Sequence, residues 1–297
     1  MIKQTLYFGS QAYISLKHKQ LQIRKNTIEG EKLITRPIED IGVVILDHGQ
    51  ITITHKAIIA LQNNKVALIS CDDRHMPTSL MLPMVGHSEQ TEKQRYQIEA
   101  SLPLKKNLWQ QTVIAKIKNQ SRVLIKVGKS HKKLDYLSSR VESGDPNNIE
   151  GQAASYYWKT LFDDFVRDRY GEPPNNLLNY GYAVIRAMIA RSLVSSGLLP
   201  GLGIHHRNKY NPFCLADDIM EPYRPFIDLI VYDAFENQGL ASFLDKETKS
   251  SLLAVSTMDA QFGKRKSPLM VGMIMTTASL AACYRGKKRK INYPLLI

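Results

Sequence analysis

Leu108-Trp109-Gln110-Gln111-Thr112-Val113-Ile114-Ala115-Lys116-Ile117-Lys118-Asn119-Gln120-Ser121-Arg122-Val123-Leu124 is the stretch that decides the fold class. Its large apolar residues at 108, 109, 113, 114, 117 and 124 recur at the three- and four-residue steps of a helix. The same habit starts at the polar, helix-forming segment Gln90 to Glu99. It continues through Asn148 to Tyr170, through Asn176 to Leu199, and from Pro212 onward. Gly197 and Pro200 are suitable terminators for the second of those segments. Toward the N-terminus the period changes. Tyr13-Ile14-Ser15-Leu16 and Leu21-Gln22-Ile23 alternate, while Ile41 to Leu46 and Val66 to Ile69 are apolar runs of strand length. Between these runs Thr54 can cap a short helix through Ala57, Ile58 and Leu61, and Pro77 and Pro83 mark a connection. The expected class is α+β: a small β-rich domain over residues 1–85 and a larger all-helical domain over residues 90–297.

The balance of charge narrows the partners. Forty Lys and Arg face 27 Asp and Glu, a net +13 in 297 residues, and such a field attracts polyanions, nucleic acid first among them. Met1 to Ser10 has no apolar run of export-signal length. Leu269 to Tyr284 is too short for a bilayer and holds Thr276, Thr277 and Ser279. Cys71, Cys214 and Cys283 are odd in number, far apart and without a CxxC, which argues against a disulfide framework and a cysteine zinc site. The expectation is a cytoplasmic protein with no membrane partner.

Three segments combine ionisable groups with apolar surroundings. In Asp145 to Ala154, Asp145 suits an N-cap and Pro146 the first helical position. From Glu150, helical steps reach Ala153, Ala154, Tyr157, Trp158, Leu161 and Phe165, so its carboxylate begins the apolar stripe and requires a partner. The plainer account is a first-turn glutamate favoured by the helix dipole or paired with arginine. In Gly203 to Asn208, His205 and His206 are adjacent in a loop and only one of them is expected to serve a site, as a metal ligand or a proton carrier. In Phe213 to Pro225, Asp218 and Glu221 share a helical face, and Pro222 should end or kink the helix. Asn211 and Pro212 look like its cap and first position. Such an oxygen-rich set with one imidazole suits Mg²⁺ or Mn²⁺ better than zinc, and on a basic chain it matches phosphoryl transfer on nucleic acid. Basic groups gather at Lys129, His131, Lys132 and Lys133, at Lys264 to Lys266, and at Arg285 to Lys290. Arg207 and Arg224 lie nearest the candidate ligands and are the better candidates for holding a DNA strand.

At these residues the sequence resembles the CRISPR-associated integrases, the catalytic subunits of spacer acquisition. The resemblance covers essentially the whole chain. It is carried by Asn148-Ile149-Glu150-Gly151 with Ala154 and Tyr157-Trp158, by Leu178 to Tyr182 with Arg186 and Arg191, and by Leu202 to Arg224-Pro225. Cys71-Asp72-Asp73 to Pro77 fits the end of that family's β domain. The form of the last motif is closest to members from systems with one large RNA-guided effector. The resemblance implies a metal centre of Glu150, His206 and Glu221, with Asp218 and His205 as auxiliary candidates. Arg186 and Arg191 could orient the acids or touch phosphate. It further implies a homodimer formed through the β domains and a small second CRISPR-associated protein, together making a heterohexameric complex. The implied substrates are double-stranded DNA with 3′-hydroxyl ends and the repeat array. Two other functions use the same residues differently: a general metal-dependent nuclease on branched or single-stranded DNA, and a non-catalytic nucleic-acid-binding scaffold.

Overall fold

The computed structural model describes residues 3–27, 30–162, 165–168, 171, 173–237 and 244–297. The fold is α+β, and the chain divides into two compact units, Met1–Gly86 and His87–Ile297.

The first unit holds β1 (Gln4–Phe8), β2 (Ala12–Lys17), β3 (Gln20–Thr27), β4 (Gly30–Pro37), β5 (Ile41–Leu46), β6 (Ile51–Ile53), α1 (His55–Asn63), β7 (Ala67–Cys71) and β8 (Pro77–Met81). They form two four-stranded sheets ordered β1-β5-β7-β8 and β4-β3-β2-β6. Strands β1, β5 and β7 are parallel and β8 is antiparallel to β7. The run Ile41–Ile45 is buried throughout, as expected of a central parallel strand covered on both faces. The Thr54 hydroxyl accepts from the Ala57 N–H and starts α1 where the sequence placed it. Ile14, Leu21, Ile41, Val44, Leu61 and Val66 meet in this unit's own core.

The second unit contains α2 (Gln90–Ile98), α3 (Leu102–Lys126), α4 (Lys132–Ser139), α5 (Ile149–Leu161), α6 (Asn175–Ser195), α7 (Cys214–Met220), α8 (Arg224–Tyr232) and α9 (Lys246–Leu253). β9 (Asp259–Phe262), β10 (Arg265–Pro268), α10 (Leu269–Tyr284) and β11 (Leu295–Leu296) complete it. Helix α3 is its axis. Ser101 caps it at Leu104, and it packs on α4, α5, α8 and the turn before α8. Its buried face carries Leu108, Trp109, Thr112, Val113, Ile117, Gln120 and Leu124. Helix α6 is buried on nearly every side, a pattern that hydrophobic content without a polar face produces. A small sheet, ordered β10-β9-β11, sits beside α10 within this unit. The reading from Pro212 onward as helical does not include it, because each of these strands spans four residues or fewer.

Two helix starts differ from the sequence reading. Asn148 takes a left-handed conformation (φ 49°), so α5 begins at Ile149 and not at Pro146. Asn148 accepts from the Gly151 N–H, and Asp145 reaches over the turn to accept from Ile149 and Glu150. Both side chains thus cap one helix. Helix α5 ends at Leu161, with Phe162 already extended; residues 163, 164, 169 and 170 of the longer expected helix lie outside the described residues. Helix α7 begins at Cys214 instead of Pro212; Asn211 Oδ1 accepts from the Phe213 N–H and from Arg186, and its amide donates to Asp217. Pro222 does interrupt the helix: Glu221–Tyr223 is a 3₁₀ turn between α7 and α8.

Candidate metal centre

Glu150 projects from the first turn of α5 and Glu221 from the 3₁₀ turn that Pro222 imposes. Both carboxylates converge on the ammonium of Lys116, from the middle of α3. Its Nζ lies 2.7 Å from Glu150 Oε1 and 2.6 Å from Glu221 Oε2. The Glu150 contact is a hydrogen bond; the Glu221 Oε2 contact is an ion pair without hydrogen-bond alignment. Arg224 Nε donates to the other Glu221 oxygen at 2.8 Å, and its guanidinium lies 4.5 Å above the Tyr182 ring. The Glu221 side chain is 7% exposed and that of Lys116 13%. A buried carboxylate survives ionised only with such partners.

The second part is the loop before α7. Asp218 is fully buried and both its oxygens serve that loop. Oδ2 accepts from the N–H groups of Ile204 and His205, and Oδ1 from the N–H of His206. The His206 Nδ1 also meets Oδ1, at 2.5 Å. Gly203 is required here: a Cβ at that position would stand 2.3 Å from the His206 carbonyl oxygen and 2.8 Å from Asp218 Oδ2. With Nδ1 committed to a carboxylate, Nε2 is the ring atom left to ligate or carry a proton. His205 lies flat on Trp109, ring centroids 4.1 Å apart, and the His206 ring stands edge-on to the same indole at 5.8 Å.

Electrostatics tie these parts together. Burial alone would raise the Glu221 carboxyl, but Arg224 and Lys116 outweigh it and push it down to about 2. Burial works against the Lys116 ammonium, yet Glu221 and Glu150 hold its pKa above that of ordinary lysine. His206 is raised first by its bond to Asp218, against burial, with Asp218, Glu221 and Glu150 adding to the rise. The imidazole therefore lies within electrostatic reach of both glutamates.

Among the described residues, no three His, Cys, Asp or Glu side chains are gathered as a complete ligand set. Glu150 and Glu221 nevertheless bring carboxylate oxygens from different elements onto one shared cation. Two hard oxygens and a nearby imidazole are donors that fit Mg²⁺ or Mn²⁺.

The remaining candidates fall in several places. Arg207 is exposed and lines a cleft of about 430 Å³ together with Lys105, His206, Asn208, Lys209 and Asn211. Arg186 pairs with Asp217, 2.8 Å away, so it orders the start of α7 and not the two glutamates. Arg191 is buried inside α6, where burial lowers its pKa to about 10. In the C-terminal basic run, Arg285 is already engaged by Glu89 and Glu92. Sequence reasoning passed over Lys116 and took Trp109 only as part of the apolar helical stripe. The signal for Lys116 was available: it stands one and two turns beyond Thr112 and Trp109 on the buried face of α3, where a lysine needs an anionic partner.

The sequence profile of the family described as CRISPR associated protein Cas1 matches residues 6–260. The chain belongs to the Cas1 family. It is 40% identical over 242 residues to the CRISPR-associated endonuclease Cas1 of Neisseria meningitidis serogroup C (strain 8013), covering 81% of this chain and 78% of that relative. A casposase bound to integration product has the same fold, with TM-score 0.80 at 19% identity over 98% of this chain and 93% of the other. A chain of a Cas6-RT-Cas1–Cas2 complex follows at TM-score 0.73 and 19% identity, covering 99% of this chain and 36% of that one. At such identities the structural likeness is one of Cas1 fold. Among the described residues no helix is long and apolar enough to cross a membrane.

Proposed function

We propose that this Cas1-family chain is a metal-dependent DNA integrase that inserts short DNA fragments into a CRISPR repeat array by transesterification. The observation that carries the reading is the convergence of Glu150 and Glu221 on one cation, beside His206 and a cleft edged by Lys105, Arg207 and Lys209. Glu150, Glu221 and His206 Nε2 would hold Mg²⁺ or Mn²⁺. Such an ion, when bound, would neutralise a phosphodiester oxygen and favour the alkoxide-like form of an attacking 3′-hydroxyl. The fragment's 3′-oxygen forms a bond to phosphorus at the repeat border while the phosphorus–O3′ bond of the repeat strand breaks. The attacking hydroxyl loses its proton and the departing oxygen gains one, so one phosphodiester replaces another without a nucleotide energy source. Asp218 keeps the His206 ring turned toward this reaction, and the cleft's basic side chains hold phosphates with little regard to sequence.

The partners follow the same reading. A homodimer joined through the β-rich unit would present two sites, matching a reaction needed at both ends of a fragment. A Cas2-type subunit completes the assembly; support comes from the likeness to a chain solved in a Cas1–Cas2 complex. The compartment is the cytoplasm, where the array is.

The test combines the chain, its small partner protein, a duplex with free 3′-hydroxyls and a supercoiled plasmid carrying a repeat, with Mn²⁺ or Mg²⁺. Covalent joining that disappears in Glu150→Ala, His206→Ala and Glu221→Ala is expected. Nicking without joining would favour a general nuclease acting on branched or single-stranded DNA. One observation favours a scaffold: both glutamates already have cationic partners in the protein. Binding with neither product, unchanged in the three variants, would establish that alternative.

A further inference from the structure

The glutamates, Lys116 and Arg224 form a closed charge set. Two carboxylates face two cations, and every one of the four side chains is at least mostly buried. The oxygens that Lys116 touches, Glu150 Oε1 and Glu221 Oε2, come from different elements and meet at its Nζ. These are the donors that a divalent ion would share. An ion at ordinary ligand distance, about 2.0–2.1 Å for Mg²⁺, would share these two atoms with the ammonium and be repelled by it. The two positive charges would stand in near contact within a poorly hydrated site.

We propose that Lys116 is a positioning residue that competes with the divalent ion for the two glutamates and couples metal binding to the arrival of a DNA phosphate. This rests on Glu150 and Glu221 being the metal ligands. The ammonium holds the carboxylates converged, which spares the cost of two unpaired buried anions. When the ion takes those oxygens, Lys116 must leave them, and its tether on α3 keeps it beside the centre. The displaced ammonium then needs an anion, and the backbone phosphate of a bound strand supplies one. Arg224 stays on Glu221 Oε1, the oxygen that Lys116 does not use. Free protein should therefore bind the ion weakly and DNA-bound protein tightly, with phosphate and ion each raising affinity for the other.

The experiment measures Mn²⁺ binding by electron paramagnetic resonance and calorimetry on the full chain, with and without a short DNA duplex. Wild type is compared with Lys116→Met and Lys116→Gln, each first checked for native circular dichroism. Met keeps the length without charge; Gln keeps a hydrogen-bond donor and serves if Met does not fold. Both neutral variants should bind Mn²⁺ about tenfold more tightly than wild type without DNA, while duplex should tighten wild type more than either variant. A lysine with a purely structural role would give unchanged or weaker Mn²⁺ binding in folded variants, and that result would overturn the proposal. Glu150→Gln and Glu221→Gln separate the two levels. If they abolish Mn²⁺ binding while the lysine variants gain nothing, only the competition fails. If they leave binding intact, the ligand assignment itself fails and takes the competition with it.

Discussion

Two buried carboxylates stand two helical turns apart, Glu221 and Asp228, and the protein treats them in opposite ways. Glu221 is held by Lys116 and Arg224 and pushed down to about 2, an acid kept ionised by cations. Asp228 has hydroxyls instead: Tyr182 Oη donates to one oxygen and Tyr157 Oη to the other, the latter at 3.0 Å. Burial pushes Asp228 up to about 7, with those hydroxyl bonds opposing the rise. Burial alone therefore does not mark a functional acid. What distinguishes Glu221 is that its neutralising charge comes from ammonium and guanidinium groups in direct contact with it, and such charge can be exchanged for an ion. Asp228 is bonded directly by the two hydroxyls, with Arg224 and Arg167 acting on it only through their fields, and the arrangement locks α5, α6 and α8 together.

The sharpest way to break this contrast is to neutralise each acid. If the proposed centre is right, Glu221→Gln should lower DNA joining by more than about 100-fold, since it would remove a direct ligand and not only a supporting partner. It should also cost about 3 kcal/mol of stability, because it leaves Arg224 buried without its anion and Lys116 with one partner instead of two. Joining within tenfold of wild type would remove Glu221 from the centre. Asp218→Asn comes next. Wherever its new NH₂ points, it opposes an N–H of Ile204, His205 or His206 that the carboxylate now accepts. Joining should fall about 10- to 100-fold, with about 1–3 kcal/mol lost in urea unfolding. Normal joining would show that the orientation of His206 does not depend on this anchor.

Asp228→Asn tests the other half, through pH. Between the ordinary aspartate value of 3.8 and about 7, native Asp228 holds a proton that the unfolded chain has released. The unfolded state binds fewer protons there, so this group's contribution to stability falls as pH rises through that window and stays low above it. Glu221 has the reverse sign: its contribution is present above the ordinary 4.5 and is lost as pH falls toward about 2. Urea unfolding from pH 4.5 to 8 should show wild type losing on the order of a few kcal/mol relative to Asp228→Asn, with joining at neutral pH little changed. A flat difference across that range would mean that Asp228 is ionised throughout.

How much of this could be read from the sequence depends on what the signal was. Helical period gave α3 and α6, and alternation with apolar runs gave the strands of the first unit, because burial of a face leaves a repeating trace. Caps were harder. Asn148 in a left-handed turn and Asp145 reaching across it produce the same Asp-Pro-Asn-Asn string that a helix from Pro146 would. The convergence of Glu150 and Glu221 left no local trace, since they lie on separate elements: residue types alone grouped the acids and a histidine as a set suited to one ion, and the family resemblance picked out these two with His206. Lys116 left a faint one, a charge on a buried stripe. Asp228 was passed over because its partners are hydroxyls of Tyr157 and Tyr182, residues that a helical stripe absorbs as plain core.

Tyr182 is where the two acids come closest to sharing a part, and Tyr182→Phe gives the smallest expected effect. Its hydroxyl serves Asp228, while the face of its ring lies 4.5 Å from the Arg224 guanidinium that holds Glu221. Phenylalanine deletes the first function and keeps the second, since the cation–π contact needs the ring and not the oxygen. Stability should fall by about 1 kcal/mol, the net worth of one hydrogen bond. Because that bond lowers the Asp228 pKa, its removal should move the upper end of the titration window above its present value of about 7. Joining should stay within about twofold, for Arg224 keeps both its carboxylate and its ring. A tenfold loss of joining with the pH window unmoved would show the reverse: that the hydroxyl acts through Arg224 on Glu221, and that the two acids belong to one network.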